Sequence, residues 1–281
     1  MRPRTPTLQA PWSTDAVREL RATLPTMYDL PSEDPEEPGL PDEFHYYQPQ
    51  LLRETFQPSG YLPDHYLVAT DLNLYYDIRH PTWHKRPDWF AVLGVPSLYE
   101  ERDLRMSYVI WQEQVAPYLV VELLSPGTED EDLGRARRQS RQPPSKWTVY
   151  ERILQTPYYV VFSRYTDTVQ YFALTHGRYR ALQLPEPRLW LPEAGLGLGL
   201  WMGTYYGLTR PWLRCYDAQG AWIPTAAERA EQAERSARQA ERRVGQAEQS
   251  TRQAEQRATQ AEQRAARLAA QLRALGIEPE S

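Results

Sequence analysis

The sequence predicts a mixed α/β (α+β) domain that ends in a long heptad helix. Three observations carry this reading. Tyr118–Leu124 is almost continuously apolar until Glu122 interrupts it, the pattern of a strand covered on both faces. A polar stretch, a short amphipathic segment and a second apolar run from Tyr158 follow it, and strand, helix, strand in that order predicts a βαβ crossover. Finally, the tripeptide QAE recurs every seven residues from Gln232 to Gln260, a heptad repeat.

Composition sets the class. The chain has 281 residues, 41% hydrophobic and 25% charged, which supports one or two domains with a true core and excludes a disordered or collagen-like chain. No apolar stretch approaches the roughly 18 residues of a spanning helix, so no membrane is expected. The first fifteen residues lack the apolar segment of a secretory signal. The single cysteine, Cys215, excludes a disulfide framework and a cysteine zinc site. A reducing cytoplasm is the expected compartment. Residues 225–281 hold 10 Arg and 9 Glu, which leaves the remainder at −6. The general basic footprint of a nucleic-acid binder is absent, so any DNA contact must use a local patch. Only two of the 32 basic residues are lysines, Lys85 and Lys146. A lysine kept in so Arg-rich a chain hints at a need for a compact ammonium.

Residues 1–60 are rich in proline and acid. One short helix is expected from Ser13 to Leu24, and the proline spacing then argues against another long element. This part is read as an irregular wrap, since Trp12, Phe44, Tyr46, Tyr47 and Phe56 need burial. Residues 61–224 form the folded domain. Its strands are expected near 67–77, from Pro87, from Tyr118 and from Tyr158, with a hairpin turning at His176-Gly177. The segment KWTVYERIL, from Lys146, is the crossover helix. Residues 225–281 form the tail. Steps of four and three from Ala226 meet Ala at most seam positions, then Leu268, Leu272 and Leu275. Pro224-Thr225 starts the helix and Gly276 ends it, so it has about 50 residues and spans roughly 75 Å. An alanine seam buries little area. Two readings stand: a single helix held by propensity, and a tight helix pair that makes a homo-oligomer through 226–275.

Carboxylates occur where strands make them costly. Asp88 opens the run WFAVLGV, Glu122 sits inside YLVVELLS, and Asp71 near the preceding strand is a weaker third. An ionised Glu at 122 has to be paired, solvated or metal-bound. Two acids at the ends of adjacent strands can hold Mg2+ through oxygen ligands. The competing reading pairs Glu122 with an arginine from Arg135, Arg137, Arg138 and Arg141, residues that can also contact phosphates.

These residues carry a family resemblance. Arg86-Pro87-Asp88-Trp89, followed after about thirty residues by Val120-Val121-Glu122-Leu123-Leu124-Ser125-Pro126-Gly127-Thr128, resembles the signature of the Uma-type putative restriction endonucleases, of the PD-(D/E)XK nuclease superfamily. The likeness continues through Asp132, Lys146 with Tyr150, the strand Tyr158–Ser163, Leu196–Leu200 and Trp212–Ile223. It implies a restriction-endonuclease-like mixed sheet flanked by helices. It also implies a magnesium-dependent endonuclease that hydrolyses phosphodiester bonds, with Asp88, Glu122 and a lysine as catalytic residues and Asp88 and Glu122 as metal ligands. The superfamily lysine would stand at 124, where this chain has Leu124. Lys146 is the matching candidate, and on a helix Lys146 and Tyr150 share one face. The alternative is a catalytically degenerate nuclease fold that acts as a binding or oligomerising scaffold through its coil.

Overall fold

A computed structural model of the chain describes residues 42–125, 127, 129–135 and 142–274. The expected helix at Ser13–Leu24, residues Arg137, Arg138 and Arg141, and the seam and cap residues Leu275 and Gly276 lie outside the described residues. The chain divides into two units, Met1–Ile223 and Pro224–Ser281. Among the described residues, no helix is long and apolar enough to cross a membrane.

The strands of the first unit are β1 (Tyr66–Thr70), β2 (Leu74–Tyr75), β3 (His84–Lys85), β4 (Trp89–Leu93), β5 (Tyr108–Val109), β6 (Leu119–Leu123), β7 (Tyr158–Ser163), β8 (Thr168–Thr175), β9 (Arg178–Ala181), β10 (Arg188–Leu191), β11 (Leu196–Tyr205) and β12 (Leu208–Tyr216). Six form the main sheet, in the order β1-β4-β6-β7-β8-β9. Only β6 and β7 pair in parallel in it, and the other neighbours are antiparallel. The mixed sheet, the crossover and the edge hairpin β8–β9 are those the apolar pattern predicts. Strands β10-β11-β12 make a second sheet.

Period-2 alternation divides the main sheet's side chains between two cores. Trp89, Ala91, Leu119, Val121, Val160 and Phe162 belong to one, shared with the second sheet. Phe90, Val92, Val120, Leu124, Val161 and Tyr159 belong to the other. Burial on both sides is why β6 is apolar at every position but Glu122. Glu122 falls in the register of Val120 and Leu124, and Asp88 in that of Phe90 and Val92. The register Trp89↔Val121 extends to set Asp88 opposite Glu122.

The region read as an irregular wrap contains a regular element. Phe44–Thr55 is a 12-residue helix, α1, with Pro49 inside it. Proline removes one interior hydrogen bond at a cost of about 3 kcal/mol. Burial of Phe44, Leu51 and Leu52 offsets that loss, and spacing rules that count only prolines do not register it. Helix α1 also closes the edge of β12. The Gln48 amide donates to Leu213 O (2.8 Å) and accepts from Leu213 N–H (2.8 Å), and Cys215 N–H donates to Thr55 Oγ1 (3.3 Å). Side chains here complete a strand edge that would otherwise stay open. The run Gly195–Gly199 enters β11 at Leu196, where a Cβ on Gly197 would fall 2.0 Å from the Tyr216 ring. Its glycines make room for aromatic packing.

The second unit is a single helix, Ala226–Ala274, of 49 residues. Thr225 Oγ1 accepts from Glu228 N–H (3.2 Å), and the Glu228 carboxylate accepts from Thr225 N–H (2.7 Å). This reciprocal box at the helix start is coded by T-x-x-E.

Replacing Gln48 with leucine leaves the N–H and C=O of Leu213 buried without partners. We expect a loss on the order of 3 kcal/mol, read as a lower midpoint in denaturant unfolding. An unchanged midpoint contradicts this account of the β12 edge.

Candidate active site

The site lies where β4 and β6 diverge. Past the last paired residues the two strands are joined through side chains. Asp88 N–H donates to Glu122 Oε2 (3.3 Å), and Leu123 N–H donates to Asp88 Oδ2 (2.6 Å). Each acid thus fixes the other's strand.

Glu122 is fully buried. Its Oε2 also accepts from Lys146 Nζ (2.9 Å), and its Oε1 accepts from the Tyr150 hydroxyl (2.9 Å). Asp88, Glu122 and Lys146 therefore meet, and Tyr150 joins them from one helical turn beyond Lys146. The partner of Glu122 is the lysine, not Arg135. The other arginines considered for that role lie outside the described residues.

Local sequence explains how Lys146 arrives. Pro143 and Pro144 oppose a helix running through them, and Ser145 caps the next one, accepting Thr148 N–H at 3.2 Å. Helix α2 (Lys146–Thr148) passes directly into a π-helical turn, Val149–Ile153. Trp147 anchors it, packed edge-on against Tyr159, Phe172 and Tyr179 with ring centroids 5.0–5.7 Å apart. Gly134 passes over this tryptophan with φ +72°, and a Cβ there would meet the indole at 2.8 Å. That close approach brings Asp132, two residues earlier, onto the site.

Two further acids complete the shell: Asp132, which the family likeness runs through without a role, and Glu131, which the sequence did not signal. Lys146 Nζ lies 3.2 Å from Asp132 Oδ1, and the Asp132 carbonyl accepts from Tyr159 Oη at 2.8 Å. Glu131 Oε1 accepts Lys146 N–H at 2.9 Å and pairs with Lys85 Nζ at 3.0 Å. Both lysines of the chain thus serve this region, which was the one available signal for Lys85. Asp71 stands beside the site: its N–H donates to Asp88 O (3.3 Å) and its carboxylate pairs with Arg86 at 2.6 Å.

The charges are unbalanced, with Asp88, Glu122 and Asp132 around one ammonium. Burial drives the Glu122 carboxyl well above its ordinary range; Lys146 opposes that rise, and Asp88 and Asp132 add to it. Burial alone would lower the Lys146 amine, but the charges of Glu122, Asp132 and Asp88 hold it well above its ordinary value.

Behind the site stands a second relay that the sequence did not signal. Buried His45 approaches Leu123 O through Nε2 (3.0 Å) and Ser125 Oγ (3.2 Å), and Asp42 Oδ1 through Nδ1 (2.8 Å). It braces the end of β6 that presents Leu123 N–H to Asp88. Arg164 pairs with Asp42 at 2.7 Å.

The donor chemistry fits a hard divalent cation. Asp88 is half-buried, and among the described residues its Oδ1 takes no hydrogen bond. Glu122 Oε1 takes one, from Tyr150, and keeps a lone pair. Among the described residues no three acidic, imidazole or thiol groups form a closed metal cage. Mg2+ retains several waters and is commonly held through one or two carboxylates.

Residues 20–208 match the model of Uma2, described as putative restriction endonuclease. The chain belongs to the Uma2 family. No curated protein matches it. The Uma2 match spans the acid-bearing strands, the Lys146 helix and the hairpin edge, so the whole constellation lies within the family region.

Asp42 and His45 give a pH signature of stability. Burial would raise the Asp42 carboxyl, but the hydrogen bond and charge of His45, with Arg164, bring it down to about 2. Burial would lower the His45 imidazole, but Asp42, Asp88 and the Leu123 carbonyl raise it above 6.5. The carboxylate's contribution is present above about pH 4 and is lost as pH falls toward 2. The imidazolium's contribution is complete below about 6.5 and is lost as pH rises through its higher folded value. We expect Asp42→Asn to lower the melting temperature more at pH 5.5 than at pH 9. An equal loss at both pH values contradicts the charged pair.

Proposed function

We propose that this Uma2 protein is a magnesium-dependent endonuclease that hydrolyses nucleic-acid phosphodiester bonds, with DNA as its substrate. The observation that supports this reading best is the convergence of Asp88, Glu122 and Lys146 on one face of the sheet, with an excess of negative charge. Asp88 and Glu122 are the residues that would hold Mg2+. When bound, the ion supplies a more acidic water and neutralises charge on the phosphate.

The chain's own groups define the remaining roles. Lys146 has three N–H donors. One reaches Glu122 and another faces Asp132, which leaves a third for a phosphate oxygen or the attacking water. Because its neighbours keep it protonated, it acts by stabilising developing negative charge, not by taking a proton. Tyr150 acts as a positioning residue that holds Glu122 Oε1. Leu124 occupies the superfamily lysine position but packs in the core. The ammonium reaches Glu122 from the helix instead, which weakens the argument for a degenerate scaffold that Leu124 otherwise provides.

Nicking of supercoiled plasmid DNA in Mg2+ tests the proposal. We expect Asp88→Asn, Glu122→Gln and Lys146→Met each to lower the rate by at least about 10²-fold, the scale of losing one preorganised charge in a site. Tyr150→Phe should lower it less, with rescue at higher Mg2+. Nicking that persists undiminished in Asp88→Asn, or that needs no divalent ion, contradicts the assignment.

A further inference from the structure

The 49-residue tail helix buries none of its residues; of its large seam side chains, Val244 and Leu268 are 58% and 59% exposed and Leu272 is partly exposed. A helix with one repeating apolar stripe and no buried residue has a face to fill, and its flanking charges identify the occupant.

With Ala226 at heptad position d, the QAE repeat sets Glu234, Glu241, Glu248, Glu255 and Glu262 at e. The charged g positions are all arginine: Arg229, Arg243, Arg257 and Arg264. One sign therefore runs down each side of the seam. In a parallel, in-register pair, each g residue faces the partner's e residue five positions later. Arg229 then meets Glu234, Arg243 meets Glu248 and Arg257 meets Glu262, twice over by symmetry. Ser236 and Ser250 stand at the other g positions opposite Glu241 and Glu255, so no like charges face each other. In an antiparallel pair e faces e and g faces g, which sets glutamate against glutamate and arginine against arginine.

Two of these charges are used inside the tail, Glu234 with Arg238 and Arg229 on the Pro224 carbonyl; most of the rest are not. Its ion pairs among the described residues join Glu231 to Arg235 and Glu234 to Arg238. Glu241, Glu248, Glu255 and Glu262 are exposed and make none there. The alanine seam sets the distance: small side chains let helix axes approach to the short end of the 8–10 Å range, within reach of long Arg and Glu side chains across the seam.

We propose that the tail helix is a docking surface for a second copy of this chain, forming a parallel, in-register helix pair whose direction is fixed by the g-arginine and e-glutamate columns. The inference does not depend on nuclease activity.

The test uses the full chain. Its one native cysteine, Cys215, is buried and contributes little background. Ala233→Cys and Ala261→Cys are prepared separately and oxidised. A parallel pair gives a disulfide-linked dimer from each variant alone. An antiparallel pair gives none, because like positions then lie tens of ångströms apart at 1.5 Å per residue. Light scattering is also run on a triple variant, Glu234→Arg, Glu248→Arg and Glu262→Arg. We expect it to be monomeric and to recover the dimer mass when mixed with the chain carrying Arg229→Glu, Arg243→Glu and Arg257→Glu. A monomeric or trimeric native chain, a dimer without homotypic disulfides, or a triple variant that stays dimeric overturns the proposal.

Discussion

A carboxylate buried on the inner face of a central strand is the constraint on which the site is built. Leaving an ionised Glu122 uncompensated costs several kcal/mol, so the fold has to bring it partners. It brings three: the ammonium of Lys146, the hydroxyl of Tyr150 and the backbone N–H of Asp88. Each comes from a different structural decision. The serine cap and the preceding prolines set where the Lys146 helix starts, the aromatic box around Trp147 sets its depth, and the antiparallel register of β4 and β6 sets Asp88. What stabilises the core also assembles the site.

The same compensation remains incomplete, and that has chemical meaning. One ammonium stands among three carboxylates, and the Glu122 carboxyl is raised while the Lys146 amine stays charged. A local excess of negative charge on hard oxygen donors favours a divalent cation. A scaffold with no ligand would gain by replacing such a cluster with apolar residues of similar volume.

Much of this was legible in the sequence because costly residues stand out. Glu122 breaks an apolar run, Asp88 follows a proline at a strand start, and Lys146 is one of two lysines in an Arg-rich chain. The interval from Lys146 to Tyr150 sets those two on one helical face, whereas the β4–β6 register that sets Asp88 opposite Glu122 shows only in the structure. Other parts left no local mark. His45 belongs to an ordinary helix, and its role depends on Leu123 and Ser125, 78 and 80 residues away. Helix α1 was hidden by Pro49, whose cost is offset by long-range burial that no spacing rule contains. Asp132 reaches Lys146 only because Gly134 allows the chain to cross Trp147.

A double-mutant cycle on Glu122 and Lys146 tests most directly whether they form one electrostatic unit. Unfolding free energies are measured for the native chain, Glu122→Gln, Lys146→Met and the double variant. Lys146→Met alone should lose about 3–5 kcal/mol, since it strands a buried carboxylate, and the double variant should recover much of that loss. Losses that add to within about 0.5 kcal/mol mean that the two residues do not interact, and the account of the site fails with them.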